Sequence, residues 1–365
     1  MTSYGINLNI RIFGGSHDEE IGVIAEGLPA GIRVDEAGLQ AFMARRAPGQ
    51  SKLTTSRKEP DIPVFTDGLE NGVTTGGTLR AVIRNTNQRS SDYKKLAFIP
   101  RPSHADYPAM VKSHGHADLR GGGHFSGRLT APMCIIGGIL KQELERRGTF
   151  IGAHIASVGA VKDKPFDPVN LSKADFDAIP TDFPVIDRDA GEKMKEVIDA
   201  ARMELDSVGG VVEFAAVGLP VGIGEHMFGG MEGRISSVVF GIPAVKGIEF
   251  GDGFASASSL GSENNDPYTT DGRTITTVTN HCGGILGGMT IGMPLICRAA
   301  IEPTPSIGKP QQSVDMDKME NTTLEIGGRH DPCIVQRAVP VFEAALAIAV
   351  YDALLDSDNW EDMER

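Results

Sequence analysis

Gly121-Gly-Gly-His-Phe-Ser-Gly-Arg128 runs without a break into Leu129-Thr-Ala-Pro-Met-Cys-Ile-Ile-Gly-Gly-Ile-Leu140. A glycine-rich polar turn therefore leads straight into a long apolar helix pattern, and the same order returns over Gly327–Leu355. A second echo stands beside it: Gly27-Leu-Pro-Ala-Gly-Ile32 recurs as Gly218-Leu-Pro-Val-Gly-Ile223. Gly-Leu-Pro is also a common turn, so six residues alone leave a chance match open. Together the two echoes predict one α+β domain made of two similar halves around one core. Periodicity adds the elements. Asp35 caps a helix to about Arg46, with Leu39, Phe42, Met43 and Arg46 at helical spacing. A helix over about Arg128–Arg147 ends with Gly148 at C′. Ala190–Ser207 is amphipathic, with Met194, Val197, Ile198, Ala201 and Leu205 on one face. Gly209–Pro220 is a strand, and a mostly apolar helix covers Val341–Leu355. Beyond it, residues 356–365 read as an acidic, solvated tail.

Composition narrows the function classes. The chain has 365 residues, enough for a sizeable core, with 40% hydrophobic and 23% charged residues, which excludes a disordered chain. Its net charge of −13 opposes general nucleic-acid binding, so an anionic ligand needs local clusters of Arg and Lys. Aromatic residues are only 6%, too few for base-stacking platforms. Cys134, Cys282, Cys297 and Cys333 contain no C-x-x-C pair, which fits a reducing compartment better than a zinc ribbon. No apolar run reaches membrane-spanning length, and no signal peptide is read at the start. The expected location is cytoplasmic.

The polar blocks that remain are candidates for chemistry. Phe13-Gly14-Gly15-Ser16-His17-Asp18 puts a titratable imidazole on a tightly turned backbone. Arg45-Arg46-Ala-Pro-Gly-Gln-Ser-Lys52-Leu-Thr-Thr-Ser-Arg57-Lys58 interleaves five cations with hydroxyls, a pattern for phosphate or carboxylate. Arg84–Tyr93 is a polar block at the exit of the strand-like run Leu79–Ile83. Arg101-Pro-Ser-His104-Ala-Asp106-Tyr107 places a carboxylate near a histidine. In Arg120–Arg128 three glycines ahead of a helix offer bare N–H groups to a phosphate, although neither a P-loop nor a Rossmann fingerprint is present. Asn280–Gly288 and Gly328-Arg329-His330-Asp331-Pro-Cys333, with Arg337 behind it, complete the set. His114-Gly-His116-Ala-Asp118 has the spacing of a metal-hydrolase cluster, but no further ligand block accompanies it, so no metal is expected.

In this order the blocks resemble the chorismate synthase family over residues 5–355. The resemblance is carried by Arg45–Asp61, Thr74–Tyr93, Arg101–Tyr107, Arg120–Thr130, Asp206–Gly224, Ala244–Phe254, Gly261–Asp266, Asn280–Gly288, Pro303–Ile307 and Gly328–Pro340. It implies a single-domain β-α-β sandwich covering residues 1–355, assembled as a homotetramer. The implied reaction is a 1,4-anti elimination of phosphate from 5-enolpyruvylshikimate 3-phosphate, giving chorismate, with reduced FMN required and no net redox change. The resemblance assigns His17 to protonating the departing phosphate. It places His104 beside the flavin and makes Ser16 and Asp331 a proton relay. Flavin contacts fall on Arg46, Lys52, His124, Phe125, Ser126, Ala244, Gly287, Glu302, Pro303, Thr304, Pro305, Ser306 and Arg329, and substrate contacts on Arg45, Arg46, Arg128 and Arg337. No NADPH motif is readable, so NADPH acts only through a separate reductase that supplies the flavin.

The chain departs from the family pattern in three places. The usual Gly-Glu-Ser-His-Gly is Gly14-Gly15-Ser16-His17-Asp18, where Asp18 restores the charge but is not expected to restore the geometry. The usual lysine of the Lys-Pro-Thr block is Glu302, which implies weaker flavin binding unless it points away. His124-Phe125 replaces a commoner Arg-Ser pair. Besides an active synthase, two other classes stay open: a flavin- or anion-binding paralogue with little turnover, and a metal-dependent hydrolase on His114, His116 and Asp118.

Overall fold

The computed structural model describes residues 2–49, 59–85, 98–327 and 331–356. The first half runs β1 (Thr2–Tyr4), β2 (Asn9–Phe13), β3 (Glu20–Glu26), β4 (Ala30–Arg33), α1 (Glu36–Arg46), β5 (Val64–Asp67), β6 (Leu69–Glu70), β7 (Val73–Thr75), β8 (Leu79–Arg84), α2 (Asp106–Lys112) and α3 (Thr130–Arg146). The second runs β9 (Phe150–Val158), β10 (Val161–Lys162), α4 (Lys173–Asp177), α5 (Arg188–Met203), β11 (Gly210–Val217), α6 (Met231–Val239) and β12 (Val245–Phe250). After these come α7 (Gly261–Asn264), β13 (Tyr268–Thr270), β14 (Ile275–Thr277), β15 (Ile285–Leu286), β16 (Met289–Thr290), β17 (Leu295–Ile301), β18 (Gln311–Asp315), β19 (Glu320–Leu324) and α8 (Val335–Leu354).

The two halves carry the same sheet. One has the order β1-β2-β3-β8-β5 and the other β10-β9-β11-β17-β12, with neighbouring strands antiparallel throughout. β3 and β11 hold the central place, and each ends in one of the Gly-Leu-Pro echoes. The echo extends to hydrogen bonds the sequence does not announce. Thr74 donates its hydroxyl to the Pro29 carbonyl and accepts from the Ile32 N–H, at 2.7 and 3.0 Å. Thr290 does the same with Pro220 and Ile223, at 2.6 and 2.9 Å. The repeat is structural, not a coincidence of turn composition.

Cross-strand pairs on the inner faces supply the core: Ile21 opposite Ile83 and Val23 opposite Ala81 in one sheet, Val212 opposite Ala299 and Phe214 opposite Cys297 in the other. Between the sheets lie the helices that follow the glycine-rich turns. α3 packs on β3, β8 and β9, and α8 packs on β9, β11 and α3. Gly137 permits that close crossing, since a Cβ there would lie 2.3 Å from the Ala344 Cβ. The result is the expected α+β sandwich with helices in the middle layer.

Several boundaries shift. α8 begins at Val335 and runs through Pro340, earlier than the expected Val341. α5 begins at Arg188, with the Asp187 carboxylate accepting from the Asp189 and Ala190 N–H groups, and ends at Met203. Leu205 lies past that end with φ +57° and is exposed, so it does not share the buried face of Met194 and Ile198. α1 and its Asp35 cap, and α3 with Gly148 one residue past its C-cap, stand as read.

Candidate active site

A cavity of about 730 Å³ opens where the N-terminal ends of α3 and α8 meet the C-terminal end of α1. Its size suits one or two small ligands. Arg46, Arg128 and Arg337 form one wall. Arg46 is almost fully buried and spends three of its five N–H donors within the protein: Nη1 on Asp61 (2.6 Å), Nε on the Thr130 hydroxyl (3.1 Å) and Nη2 on the Gly127 carbonyl (2.9 Å). The other Asp61 oxygen accepts from Arg128 Nη1. Burial pushes the Asp61 carboxyl up, but the charges of Arg46 and Arg128 outweigh it and hold the group below the ordinary carboxylate value. Arg128 also reaches Glu59, at 3.0 Å. Its Nη2 is buried and has no hydrogen-bond partner among the described residues. A buried guanidinium N–H without an acceptor is costly, and an anion in the cavity would satisfy it. Arg337 pairs with Asp331 at 2.6 Å and donates to the Arg46 carbonyl.

The facing wall holds His104, whose Nδ1 lies 2.6 Å from Asp106 Oδ1. Arg101 grips the same carboxylate through Nε (2.7 Å) and Nη2 (2.8 Å) and reaches the Ser306 hydroxyl through Nη1 (3.2 Å). Beside His104 is the triple-glycine turn. Gly121, Gly122 and Gly123 all have positive φ, a region glycine occupies without strain. A Cβ on Gly122 would approach His104 Nε2 to 3.4 Å, and one on Gly121 would strike the His17 ring at 2.4 Å. The turn therefore has no room for side chains at Gly121 and Gly123, and Gly121 presents bare backbone to the cavity.

Ser16 and His17 sit behind this turn, not on the cavity surface. The Ser16 N–H donates to the Gly123 carbonyl at 3.1 Å, and Ser16 Oγ lies 2.9 Å from the Cβ position of Gly121. Ser16 Oγ is buried without a hydrogen-bond partner among the described residues. His124 lines the cavity and its Nδ1 lies 2.9 Å from the Gly14 carbonyl, so Nδ1–H is the donor and the loop is tied down a second time. The Asp18 carboxylate folds back over Gly15, with Oδ2 3.2 Å from where a Cβ on residue 15 would be.

Phe125, Ser126, Ala244, Thr304, Pro305, Ser306, Asp331 and Glu302 line the cavity as expected. Glu302 is paired with Lys246, at 3.3 Å between Oε2 and Nζ, so its charge is partly neutralised at the rim. Three expected contacts lie elsewhere. Arg45 follows Arg46 in a helix, where successive side chains point about 100° apart. It turns away to form a two-pronged pair with Glu343, at 2.5 and 3.0 Å, in a separate cleft. Gly287 and Gly288, both with positive φ, form the two-residue turn between β15 and β16, which needs this backbone. Pro303 packs against Gly209. Lys52 and Arg329 lie outside the described residues. In the hydrolase cluster Asp118 is paired with Arg120 at 2.6 and 2.9 Å. Among the described residues no group of three or more His, Cys, Asp or Glu could hold a metal ion.

Sequence reasoning passed over Glu59, Asp61 and Lys246 as site residues. The signal for the first two was a carboxylate pair, Glu59-Pro-Asp61, closing a run of cations. Lys246 gave none.

With this geometry in place, comparisons with known proteins are informative. The family model for chorismate synthase matches residues 8–355. A chorismate synthase of Thermococcus gammatolerans is 43% identical over 358 residues, covering 98% of this chain and 99% of that protein. One from Lancefieldella parvula is 43% identical over 367 residues, covering 97% and 96%. A crystal structure of chorismate synthase matches with a TM-score of 0.74 at 25% identity, covering 97% of this chain and 93% of its own.

Proposed function

The chain belongs to the chorismate synthase family, and from that premise we propose that its cavity converts 5-enolpyruvylshikimate 3-phosphate into chorismate and phosphate with reduced FMN bound beside the substrate. The observation that carries this is the buried, unpartnered Nη2 of Arg128 in a wall of three guanidinium groups, in a cavity also lined by Gly121, where a Cβ would strike His17. Substrate phosphate and carboxylates against Arg128 and Arg337 supply the missing acceptors. A flavin fits the other face, along Gly121, His124, Phe125, Ser126, Ala244 and Thr304–Ser306. Reduced FMN, when bound, supplies transient electron density that eases loss of the phosphate.

The protein's own part is positioning and proton placement. His104 presents Nε2 to the flavin face and holds or accepts a proton there. His17, behind Gly121, delivers a proton toward the departing phosphate, and Ser16 and Asp331 flank the route for the proton removed from the ring. Arg46 commits three of its five N–H donors to Thr130, Asp61 and Gly127 and so fixes Asp61 and, through it, Arg128, while its remaining donors stay at the cavity wall. Residues 1–355 act as one catalytic unit, with the acidic tail outside it. NADPH enters only through a separate reductase, in a cytoplasmic setting; among the described residues no helix is long and apolar enough to cross a membrane. The chain assembles as a homotetramer, a reading supported by large apolar side chains left exposed, among them Phe228 and Phe254 at 95% and 85%; light scattering tests this.

An anaerobic assay following chorismate and phosphate tests the function. Equal amounts of both, formed only when reduced FMN is present, are expected; no turnover at any flavin concentration refutes it.

A further inference from the structure

Histidine 104 presents a choice of tautomer that the geometry decides. Its Nδ1 lies 2.6 Å from Asp106 Oδ1 and 3.1 Å from Arg101 Nη2. If Nδ1 carried a lone pair, two acceptors would face each other at 2.6 Å, which is repulsive. With the hydrogen on Nδ1, it donates to Asp106, and Arg101 Nη2 turns its own donation to the same oxygen at 2.8 Å. The proton therefore belongs on Nδ1, and Nε2 is left to the cavity. Asp106 is itself tightly held. Its Oδ2 accepts from the Arg101 backbone N–H (3.0 Å) and from Arg101 Nε (2.7 Å), and both residues are buried. Burial works against the charge of Asp106, but the hydrogen bonds from Arg101 and His104 outweigh it and keep the carboxyl ionised far below the ordinary range.

We propose that Asp106, locked by Arg101, is the positioning residue that fixes the tautomer of His104 and aims Nε2 at the cavity. The consequence rests on the family reading for what His104 does in turnover. The chain Ser306–Arg101–Asp106–His104 is a continuous run of polar contacts from one cavity wall to the next. It therefore also holds the Thr304–Ser306 segment at a set distance from the imidazole.

The test is Asp106→Asn. Both oxygens accept from two donors, Oδ2 from the Arg101 backbone N–H and Nε and Oδ1 from Arg101 Nη2 and His104 Nδ1–H. Of these four partners only His104 can turn acceptor, by moving its proton to Nε2, so the NH2 group is expected opposite His104 and the amide carbonyl at the Oδ2 position. An NH2 at that place donates to Nδ1 and drives the ring proton to Nε2. Nitrogen-15 NMR of histidine-labelled protein reads the tautomer directly. Wild type is expected to show His104 as the Nδ1–H form, and the variant as the Nε2–H form. Turnover should fall by about 10²-fold or more, on the scale of losing a group that orients an imidazole. The flavin dissociation constant should stay within about twofold of wild type. The double variant with His104→Ala should be no slower than His104→Ala alone.

An Nε2–H tautomer in wild type overturns the proposal, and this spectrum needs no folded variant. An unchanged tautomer in Asp106→Asn also overturns it. If His104→Ala turns over normally while the tautomer reverses as expected, the positioning stands and the catalytic reading of His104 falls instead.

Discussion

Replacing Asp61 by Asn removes the one carboxylate shared by Arg46 and Arg128 while nearly conserving shape. Each ion pair is worth about 4 kcal/mol in gross Coulomb energy at 4 Å and an effective dielectric near 20. The carboxylate's own burial offsets much of that. What remains on breaking a buried pair from one side is about 3–5 kcal/mol, because the stranded guanidinium groups stay buried. That is a large share of a total stability of about 5–15 kcal/mol. At about 2 °C per kcal/mol for a chain of this size, the melting temperature should fall by roughly 6–10 °C. The variant also leaves the cavity wall one unit more positive, so inorganic phosphate should raise its melting temperature more than it raises that of wild type. Scanning calorimetry with and without phosphate reads both effects. The depressed carboxyl adds a pH signature: its stabilisation is present above the unfolded value near 3.9 and is lost as pH falls through the lower folded value. The wild-type advantage over Asp61→Asn should therefore persist at neutral pH and shrink only in strong acid. A variant melting within about 1 °C of wild type, with the same phosphate response, would show that Asp61 does not clamp the two arginines.

Three further outcomes follow from the same structure. His17→Ala should lower turnover by about 10²-fold or more with little change in substrate KM, on the scale of lost acid catalysis; near-normal turnover removes His17 from the mechanism. Glu302→Gln should tighten oxidised FMN about two- to fivefold in a fluorescence titration, since it frees Lys246 at the cavity rim; weaker binding would mean the carboxylate assists the flavin. His154 is fully buried between Asp163 and Glu213, at 3.0 and 2.8 Å. Burial lowers its basicity, but the two carboxylates outweigh it and raise the folded value above the usual 6.5. Its stabilisation is complete below about 6.5 and is lost as pH rises through the folded value. The melting-temperature gap between wild type and His154→Gln should narrow as pH rises above 6.5, and a gap constant from pH 5 to 9 contradicts this.

The readable parts of this fold are those where a local rule and the tertiary structure agree. Asp35 and Gly148 mark helix ends because capping is a property of a few neighbouring residues. The start of α8 lies six residues before the expected Val341, and the helix runs through Pro340, a residue that disfavours a helix interior. Burial of nearly every residue of the helix against both neighbouring helices and strands overrides that preference. The two-fold repeat shows in six residues, and Thr74 and Thr290, which lock it, lie far from those residues in sequence but share a pattern that the sequence reading passed over, Gly72-Val-Thr-Thr-Gly-Gly-Thr-Leu79 against Gly288-Met-Thr-Ile-Gly-Met-Pro-Leu295. At the site, the periodicity already held the answer for one pair: Leu39, Met43 and Arg46 share the buried face of α1, so Arg46 and not Arg45 had to face inward. Asp61 was not readable as a site residue, since its role depends on a backbone with φ +47° that brings it under two arginines from different helices. That the Asp18 carboxylate lies close to Gly15 was not readable either, because a sequence cannot show a side chain folding back over its neighbour.

The most direct measurement is a crystal structure of the chain grown with oxidised FMN and 5-enolpyruvylshikimate 3-phosphate. The ring system of the flavin should lie against Gly121 and His104, with a substrate oxyanion within hydrogen-bond distance of Arg128 Nη2. Density for both molecules outside this cavity, with that nitrogen still lacking an acceptor, would contradict the account.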